Sequence, residues 1–485
     1  MLSDDVVIDL SRVVADREAL RRLSSAVARR LGVLPIMLSD EFLYVVMSDD
    51  EDYLSLSQVE TLVGMPVKVL RAKSPADVQV YIKKYYPEST GDLAGTPLGL
   101  LEEIVLRAML SRSSDIHFDL EQDTGYIRLR VDGLMRVDQT LSLDNMSELV
   151  SAVKVSSGLN IAEHRIPQDG QLTLMVAGDE ISMRVATIPT LYGEKMTLRI
   201  LATENTLAEL AELDMLGMSD AHLRLLLSTL DNAHGVILLS GPTGSGKTTT
   251  LYAALRHLKR AGTLHILSIE DPVEIPLNGI NQVRIDSDRV DFNRALRSTL
   301  RHDPDVIMIG EIRDAETADI AIKSSLTGHL VLSTLHANDS VGVVTRLLNL
   351  GVAPELVNSA LRLVIAQRLV RTPCKHCVKF DSPSDSDREF FGWVDDVNIR
   401  VPRAVGCQLC NNTGYAGRLG LYEMVKVDRN IRELVRHNAN EDAISNYIFN
   451  ERTIPTLKLD GIEKIKKGLT TPEEVRRVTF LGDTK

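Results

Sequence analysis

The stretch Gly235-Val-Ile-Leu-Leu-Ser-Gly-Pro-Thr-Gly-Ser-Gly-Lys-Thr248 decides the fold of this 485-residue chain. Its opening apolar run is typical of a buried strand, and residues 248–259 place apolar side chains at helical spacing. Between them lies the pattern GxxxxGK[ST], whose glycines let backbone N–H groups surround phosphate oxygens at the positive end of a helix. The stretch therefore predicts a phosphate-binding loop between a strand and a helix.

This loop gives individual residues expected roles. Lys247 is expected to reach the β- and γ-phosphates of ATP, and the Thr248 hydroxyl to ligate Mg²⁺. The other expected nucleotide contacts come from the same loop and the start of the helix: Gly241, Pro242, Thr243, Gly244, Ser245, Gly246 and Thr249. A glycine-rich turn without a ligand is the alternative, but strand, loop, lysine, threonine and helix all favour a nucleotide.

A second apolar strand, Val306-Ile-Met-Ile-Gly310, is followed directly by Glu311. A hydrophobic strand that delivers a carboxylate to its carboxyl end is what a Walker B element requires. Alone, such an acid is more often a surface residue. Because it follows a phosphate-binding loop, we expect Glu311 to polarise the attacking water or to support the metal.

Clustered carboxylates end the intervening run Ile266-Leu-Ser-Ile-Glu270-Asp-Pro-Val-Glu274. Like charges this close are unfavourable unless a cation or hydrogen-bond donors lie among them. The run therefore favours a metal-and-water role for Glu270 and Glu274 over a solvated turn. Further on, His329 and His336 flank a strand-like run, and the residues alone leave open whether these histidines are packed or catalytic.

The regions around these motifs suggest several domains. Residues 206–370 alternate apolar strand-like runs with helical patterns, which is typical of an α/β fold with a parallel sheet. Residues 98–205 open with a helical pattern over 98–110 and continue with a hairpin around Asp132-Gly133. Residues 1–93 mix helical spacing over 19–31 with a strand over 42–47, and a turn-rich linker follows at 86–97. A mostly helical tail closes the chain.

Composition narrows the functional classes. The formal charge is −12, the pI is about 5.5 and aromatic residues make up 4%. These values argue against direct nucleic-acid binding, which usually shows a basic footprint and stacking aromatics. No apolar run is long enough for a transmembrane segment, and Asp4, Asp5 and Asp9 do not suit a signal peptide. The expectation is a cytoplasmic protein that reaches a membrane only through partners.

The four cysteines form two CxxC pairs, Cys374/Cys377 and Cys407/Cys410. Without an export signal, such pairs indicate a metal site rather than disulfides. Four thiolates suit a closed, structural Zn²⁺ site, so His376, inside the first pair, is expected to be a bystander. Free buried thiols are the alternative.

Together these elements resemble the secretion ATPase superfamily that drives type II secretion and type IV pilus assembly. The resemblance rests on motif order: a P-loop at 241–248, an Asp box at 266–274, a Walker B motif at 301–314 and a His box at 327–336. It is specific in Arg301-His-Asp-Pro-Asp and Ser333-Thr-Leu-His-Ala-Asn-Asp. It covers residues 95–485 well and the first 90 loosely.

The resemblance implies a homohexamer of two-lobed subunits. The expected fold is α/β: a RecA-like P-loop ATPase core, a PAS-like N-terminal lobe, a tetracysteine zinc subdomain and a helical C-terminal tail. The expected domains are 1–93 (platform docking), 94–205 (PAS-like), 206–370 (ATPase), 371–425 (zinc) and 426–485 (helical).

The family draws arginines from the PAS-like lobe into the active site, and Arg184 and Arg199 match those positions. Their physical task would be to neutralise charge on the transferring phosphoryl group. A solvated arginine on a strand is the alternative. Lys195 stands where the family often has arginine, so this loop departs from the family's pattern. The His-box residue His336 joins the expected catalytic set with Lys247, Glu270, Glu274 and Glu311.

By resemblance, residues 1–93 dock the motor on its inner-membrane partners, a bitopic assembly protein and a platform protein. Related domains bind cyclic di-GMP through an Arg-Leu-Gly segment; Arg30-Leu-Gly32 is present here, but the rest of that pattern is not evident. The tetracysteine pattern resembles extension-type motors and counts against retraction. The main functional prediction is a type II secretion ATPase. A pilus-extension or DNA-uptake motor and a non-hydrolysing assembly scaffold are the alternatives.

Overall fold

A computed structural model describes residues 7–10, 13–23, 25–39, 42–47, 53–86, 96–111, 113–176, 179–201, 212–232, 234–285, 291–393, 399–407, 410, 412–437 and 439–479. The chain divides into two compact units. The first comprises residues 1–203, 374–378 and 404–416, and the second comprises 204–373, 379–403 and 417–485. The domain limits expected at 93/94 and 205/206 lie outside the described residues, and the five-part division stays a prediction.

The first unit begins with a four-stranded sheet in the order β1-β4-β3-β2. Strands β1 and β3 run parallel to β4, and β2 runs antiparallel to β3. The elements are β1 (Val7–Ile8), α1 (Arg17–Arg21), α2 (Ser25–Leu31), β2 (Val33–Leu38), β3 (Leu43–Met47), α3 (Tyr53–Val63), β4 (Val67–Ala72) and α4 (Pro75–Tyr85). The helical spacing over 19–31 thus belongs to two short helices rather than one. The second begins at Ser25, and serine is unfavourable in the interior of a helix.

The first unit continues with a six-stranded antiparallel sheet in the order β7-β6-β5-β10-β9-β8. Its elements are α5 (Pro97–Leu110), β5 (Ser113–Leu120), β6 (Gly125–Val131), β7 (Leu134–Leu141), α6 (Leu143–Ser156), β8 (Gln168–Val176), β9 (Asp179–Thr190) and β10 (Gly193–Ile200). The predicted hairpin is confirmed as β6–β7. Asp132 and Gly133 both have positive φ, as a two-residue hairpin turn requires.

The second unit is built on a seven-stranded sheet in the order β13-β12-β14-β15-β11-β16-β19. Pairing is parallel from β13 through to β16, which confirms the predicted parallel sheet. The strands of this unit, including the small β17–β18 pair, are β11 (Gly235–Ser240), β12 (Ile266–Glu270), β13 (Asn281–Arg284), β14 (Val306–Ile309), β15 (Leu330–Leu335), β16 (Leu361–Pro373), β17 (Lys379–Asp381), β18 (Val401–Arg403) and β19 (Tyr415–Lys426).

Helices cover this sheet and form the predicted C-terminal tail. They are α7 (Asp220–Leu230), α8 (Lys247–Lys259), α9 (Phe292–Thr299), α10 (Ala315–Leu326), α11 (Ser340–Asn349), α12 (Pro354–Ala360), α13 (Asp385–Phe391), α14 (Arg429–Arg436), α15 (Glu441–Ser445), α16 (Leu457–Lys466) and α17 (Pro472–Thr479). A short 3₁₀ turn (Leu213–Leu216) precedes α7, and a π-helical segment (Asn446–Glu451) follows α15.

Both faces of the parallel sheet are buried. In β11, Val236 and Leu238 enter one hydrophobic core, and Ile237 and Leu239 enter a second. Successive side chains of a strand point to opposite faces, so a sheet covered on both sides needs strands that are apolar throughout. This is why the quoted run carries no polar alternation, and why its functional residues lie beyond the strand ends.

No helix within the described ranges is long and apolar enough to cross a bilayer.

Candidate active site

Four neighbouring parallel strands place the predicted motifs along one edge of the sheet. The order β12-β14-β15-β11 brings together the residues at or just after their carboxyl ends: Glu270, Glu311, His336 and the loop at 241–246. This edge is where α/β proteins bind ligands. Motifs spread over about a hundred residues of sequence therefore meet at one location because the sheet is parallel.

The phosphate-binding loop leaves β11 in a conformation that needs glycine. Gly241 has φ of +146°, and a Cβ placed there would lie 2.5 Å from the Gln367 carbonyl oxygen. Gly246 has φ of +86°, and its Cβ would lie 2.9 Å from the Gln367 amide nitrogen Nε2. A side chain at either position would be strained and would collide with β16. The glycines thus let the loop lie tightly over the neighbouring strand before α8 begins at Lys247.

Lys247 is folded back onto its own loop. Its Nζ donates to the carbonyl oxygens of Gly241 at 2.7 Å and Pro242 at 3.1 Å. Burial lowers the pKa of Lys247, and the carboxylates of Glu311 and Glu274 act against that shift. Nearby, the Ser245 hydroxyl is buried without a hydrogen-bond partner among the described residues. A lysine held only by carbonyls and an unsatisfied hydroxyl both fit a loop that receives phosphate oxygens.

Glu311 lies between a histidine and an arginine. Its Oε2 lies 3.3 Å from His336 Nε2, and Oε1 contacts the Arg313 guanidinium. Arg313 also lies 3.6 Å from Asp271 Oδ2, so it connects the Walker B carboxylate with the Asp box. The Thr334 hydroxyl donates to the Gly310 carbonyl at 2.8 Å, which ties the His-box strand to the residue before Glu311.

The two Asp-box glutamates differ in exposure. Glu270 is only 3% exposed, and Tyr252, Ser268 and Gln282 donate hydrogen bonds to it. Glu274 is exposed, and its charge acts on Lys247. Thr248 is half-buried and Thr249 is exposed, both in the first turn of α8. Of the two histidines, His336 meets Glu311, whereas His329 Nδ1 lies 2.8 Å from the Ser324 carbonyl at the other end of β15.

The sequence reasoning missed two polar residues of β16 beside the loop. Gln367 is 2% exposed, and its Oε1 accepts from Thr250 Oγ1 at 2.9 Å. Arg368 donates to the Asn338 carbonyl at 2.6 Å, two residues after His336. A Gln-Arg pair inside an otherwise apolar run was the available signal, because buried strands rarely carry polar residues without a partner. Arg313 was missed too, although it lies inside the quoted Walker B motif.

The two candidate arginines lie in the first unit, on adjacent strands. Arg184 on β9 is directly opposite Arg199 on β10. Arg199 Nε donates to Asp115 Oδ1 at 2.8 Å, and the Arg199 side chain is 62% exposed. Burial raises the pKa of Asp115, but hydrogen bonds from Arg199 and Ser114 outweigh burial and leave this pKa below its ordinary value.

The four cysteine sulfurs meet in the first unit, all within 4.8 Å of one another. Cys410 Sγ lies 3.8 Å from Cys377 Sγ and 3.7 Å from Cys407 Sγ. Four sulfurs at the usual distance around one Zn²⁺ would lie about 3.8 Å apart, so the cluster fits this ion.

Hydrogen-bond donors near the cysteines would stabilise thiolates bound to a metal ion. Backbone N–H groups of Cys407 and Gly414 each lie 3.2 Å from Cys410 Sγ. Burial acts to raise the pKa of Cys410, but these donors prevail and leave it lowered. Burial raises the pKa of Cys374 to about 11 and also raises that of Cys377. A cation would be needed to keep those two thiols ionised near neutral pH.

Comparison with known protein families decides the family. The profile of the type II/IV secretion system protein family matches residues 95–477, and that of the MshEN domain matches residues 6–92. The chain belongs to the type II/IV secretion system protein family. The resemblance inferred from the motif order is therefore confirmed.

Two relatives with known names are similar to this chain. The type II secretion system ATPase E of Vibrio cholerae is 44% identical over 382 residues, which cover 78% of this chain and 75% of that protein. The type IV pilus assembly ATPase PilB of Myxococcus xanthus is 35% identical over 504 residues, which cover 96% and 88%.

A solved structure gives the same result for the fold. The pilus retraction motor PilT with bound ADP matches with a TM-score of 0.53 at 25% identity and covers 78% of this chain and 96% of that one. Together with the parallel sheet, the sulfur cluster and the terminal helices, this similarity confirms the predicted fold class.

Proposed function

We propose that this chain is the ATPase of a type II secretion system and couples hydrolysis of ATP to ADP and phosphate to pseudopilus assembly and protein export. One observation carries the proposal. The phosphate-binding loop, Glu311 and His336 follow neighbouring strands of one parallel sheet and meet at its carboxyl edge. Family membership and the 44% identity to a type II secretion ATPase support the secretion role.

In this proposal the loop residues 241–249 bind the phosphates of ATP. Lys247 exchanges its two carbonyl partners for phosphate oxygens, because its ammonium group is attracted more strongly to an anionic oxygen than to a neutral carbonyl. Glu311 orients the attacking water and accepts its proton, while His336 and Arg313 fix the direction of the carboxylate. The charge of Glu274 acts on Lys247, and Glu270 and Glu274 are proposed to serve the metal ion and its bound water.

Two metal ions are proposed. Thr248 would ligate Mg²⁺, which neutralises phosphate charge when bound. Cys374, Cys377, Cys407 and Cys410 would hold a structural Zn²⁺.

The wider machine is proposed from the family. The chain forms a homohexamer, and Arg184 and Arg199 neutralise the transferring phosphoryl group in an active site of that ring. Residues 1–93 bind an inner-membrane bitopic assembly protein or platform protein, so the motor works in the cytoplasm attached to the membrane through partners. Binding of cyclic di-GMP is the alternative role of this region, and it rests on Arg30-Leu-Gly32 alone.

A type IV pilus extension motor is the second candidate, favoured by the 35% identity to a pilus assembly ATPase over nearly the whole chain. The same catalytic edge would serve both machines. The identity to the secretion ATPase is higher, although it covers a shorter part of the chain.

Partner binding separates the two candidates. Full-length protein is tested for affinity to the cytoplasmic domain of the type II bitopic protein and to the pilus platform protein from the same genome. We expect tight binding to the first alone. Binding only to the second would make the chain a pilus motor and leave the ATPase assignment intact.

Metal analysis tests the zinc assignment. Freshly purified protein is expected to contain about one zinc per chain, and Cys410→Ser to lose most of it. Well under one zinc in the wild-type protein would overturn the assignment.

A further inference from the structure

Tyr252 links three parts of the candidate site through one hydroxyl. It lies on α8, five residues after Lys247, and its side chain is fully buried. Its hydroxyl donates to Glu270 Oε2. The same oxygen accepts from the backbone N–H of Glu274 at 3.3 Å and of Ile275 at 3.5 Å. A hydroxyl has one donor and two acceptor positions, so all of its hydrogen-bonding capacity is used here.

Glu270 and Gln282 form the other end of this hydrogen-bond network. Glu270 Oε1 accepts from Ser268 Oγ at 2.6 Å and from Gln282 Nε2 at 3.1 Å. Gln282 also donates to the Ile275 carbonyl at 3.1 Å and accepts from the Leu277 N–H at 2.6 Å. Tyr252 and Gln282 thus hold the segment that carries Glu274 from two sides, with Glu270 between them.

This arrangement connects the phosphate-binding helix to the carboxylates of the Asp box. Lys247 begins α8, and the charge of Glu274 acts on Lys247. A fixed hydroxyl on the same helix sets how the Glu274 segment lies relative to that lysine. Burial, reinforced by the charge of Glu270, raises the pKa of Tyr252, so its hydroxyl keeps its proton and remains a donor at working pH.

We propose that Tyr252 is a positioning residue for ATP hydrolysis, which fixes Glu270 and the Glu274 backbone relative to Lys247. The inference rests on the proposed ATPase function. It assigns Tyr252 no contact with nucleotide, so its hydroxyl should affect turnover more than substrate affinity.

Tyr252→Phe in the full-length protein tests the proposal, because it removes only the hydroxyl. We expect kcat to fall about 10-fold or more, since a hydrogen bond to a buried charged group is lost, while the KM for ATP changes little. Tyr447→Phe is the matched control. It removes a hydroxyl that donates to Asp428 Oδ2 at 2.8 Å in the same unit, away from the sheet edge, and should leave both constants unchanged.

A double variant tests the route through Glu270. If Tyr252 acts through this carboxylate, Tyr252→Phe combined with Glu270→Gln should be about as slow as Glu270→Gln alone, because residues acting as one unit are not additive. An unchanged kcat in Tyr252→Phe, a rise in KM alone, a lower melting temperature without a kinetic effect, or multiplicative losses would each overturn the proposal.

Turnover measurements distinguish an error in the role of Tyr252 from an error in the proposed ATPase function. If turnover is normal in the wild-type protein and in both variants, Tyr447→Phe and Tyr252→Phe, Tyr252 has no positioning role and the ATPase assignment stands. No Mg²⁺-dependent turnover in the wild-type protein would overturn the ATPase assignment and this inference with it.

Discussion

The parallel sheet of the second unit and the antiparallel sheet of the first arrange their charged residues in different ways. The seven-stranded sheet buries apolar side chains on both faces, and Lys247, Glu311 and His336 lie beyond its strand ends, Lys247 as the first residue of α8. The six-stranded sheet carries charged residues within its strands, paired across them, as Arg199 is with Asp115. A loop side chain in a weak ion pair can reorient to contact a ligand. A charged side chain in a cross-strand pair already has its partner of opposite charge. The two sheets therefore suit different tasks: the parallel sheet suits ligand binding, and the antiparallel sheet suits support or charge compensation.

Lys247→Ala should show the largest effect, and it tests whether the edge of the parallel sheet binds phosphate. The lysine supplies positive charge at the position where phosphate charge develops, so turnover is expected to fall about 1,000-fold. Mg²⁺-dependent phosphate release measures this. Lys323→Ala is the control, because this lysine forms only a surface i,i+4 pair with Asp319 in the same unit. Similar losses in both variants would mean that the loop lysine has no special role.

Arg184→Ala tests whether the antiparallel sheet also takes part in the chemistry. If Arg184 neutralises the phosphoryl group, turnover should fall about 100-fold with nucleotide affinity largely kept. Arg165→Ala, which removes an exposed arginine that pairs with Glu163 in the same unit, should change neither. A normal rate in Arg184→Ala would return this sheet to a purely supporting role.

Of the two arginines, Arg184 gives the variant whose kinetics are easier to interpret. Removing Arg199 would also take a charged hydrogen-bond donor away from the buried carboxylate of Asp115, so a slow Arg199 variant could reflect lost stability.

Asp115→Asn tests the cross-strand pairing itself and should have the smallest effect. The folded-state pKa of Asp115 is lowered, so the carboxylate stabilises the fold above its unfolded pKa and loses that contribution as pH falls through the folded value. The variant should be less stable than wild type by about 1 kcal/mol near pH 7, and the gap should close below about pH 4.

Melting temperatures across this pH range provide the measurement. Asp123→Asn, in an exposed turn of the same unit, is the control and should show no such gap. A gap for Asp115→Asn that is constant with pH would mean that packing, rather than charge, causes the loss.

The sequence predicted the second unit better than the first for a physical reason. A phosphate-binding loop uses consecutive residues, so its strand, loop and helix could be predicted from the stretch 235–259 alone. Glu311 was predicted because a carboxylate directly after an apolar run is a local signal. The hairpin at Asp132-Gly133 was equally local.

Contacts that depend on strand register could not be predicted. Arg199 meets Asp115 across two strands that are far apart in sequence, and Gln367 of β16 meets Thr250 of α8, a contact that depends on how the helix packs on the sheet. The role of Tyr252 could not be predicted for the same reason, because its position in the helical pattern predicts only that its side chain is buried. Its hydroxyl meets Glu270 because α8 packs over β12 in the folded unit.

In the proposed function, the carboxyl edge of the parallel sheet hydrolyses ATP, and Glu311 is the residue that activates water. The most direct test compares wild type and Glu311→Gln for Mg²⁺-dependent phosphate release and for ATP affinity in the same preparations. The predicted result is turnover at least about 100-fold lower in the variant, with ATP still bound at near wild-type affinity. Unchanged turnover would contradict the claim.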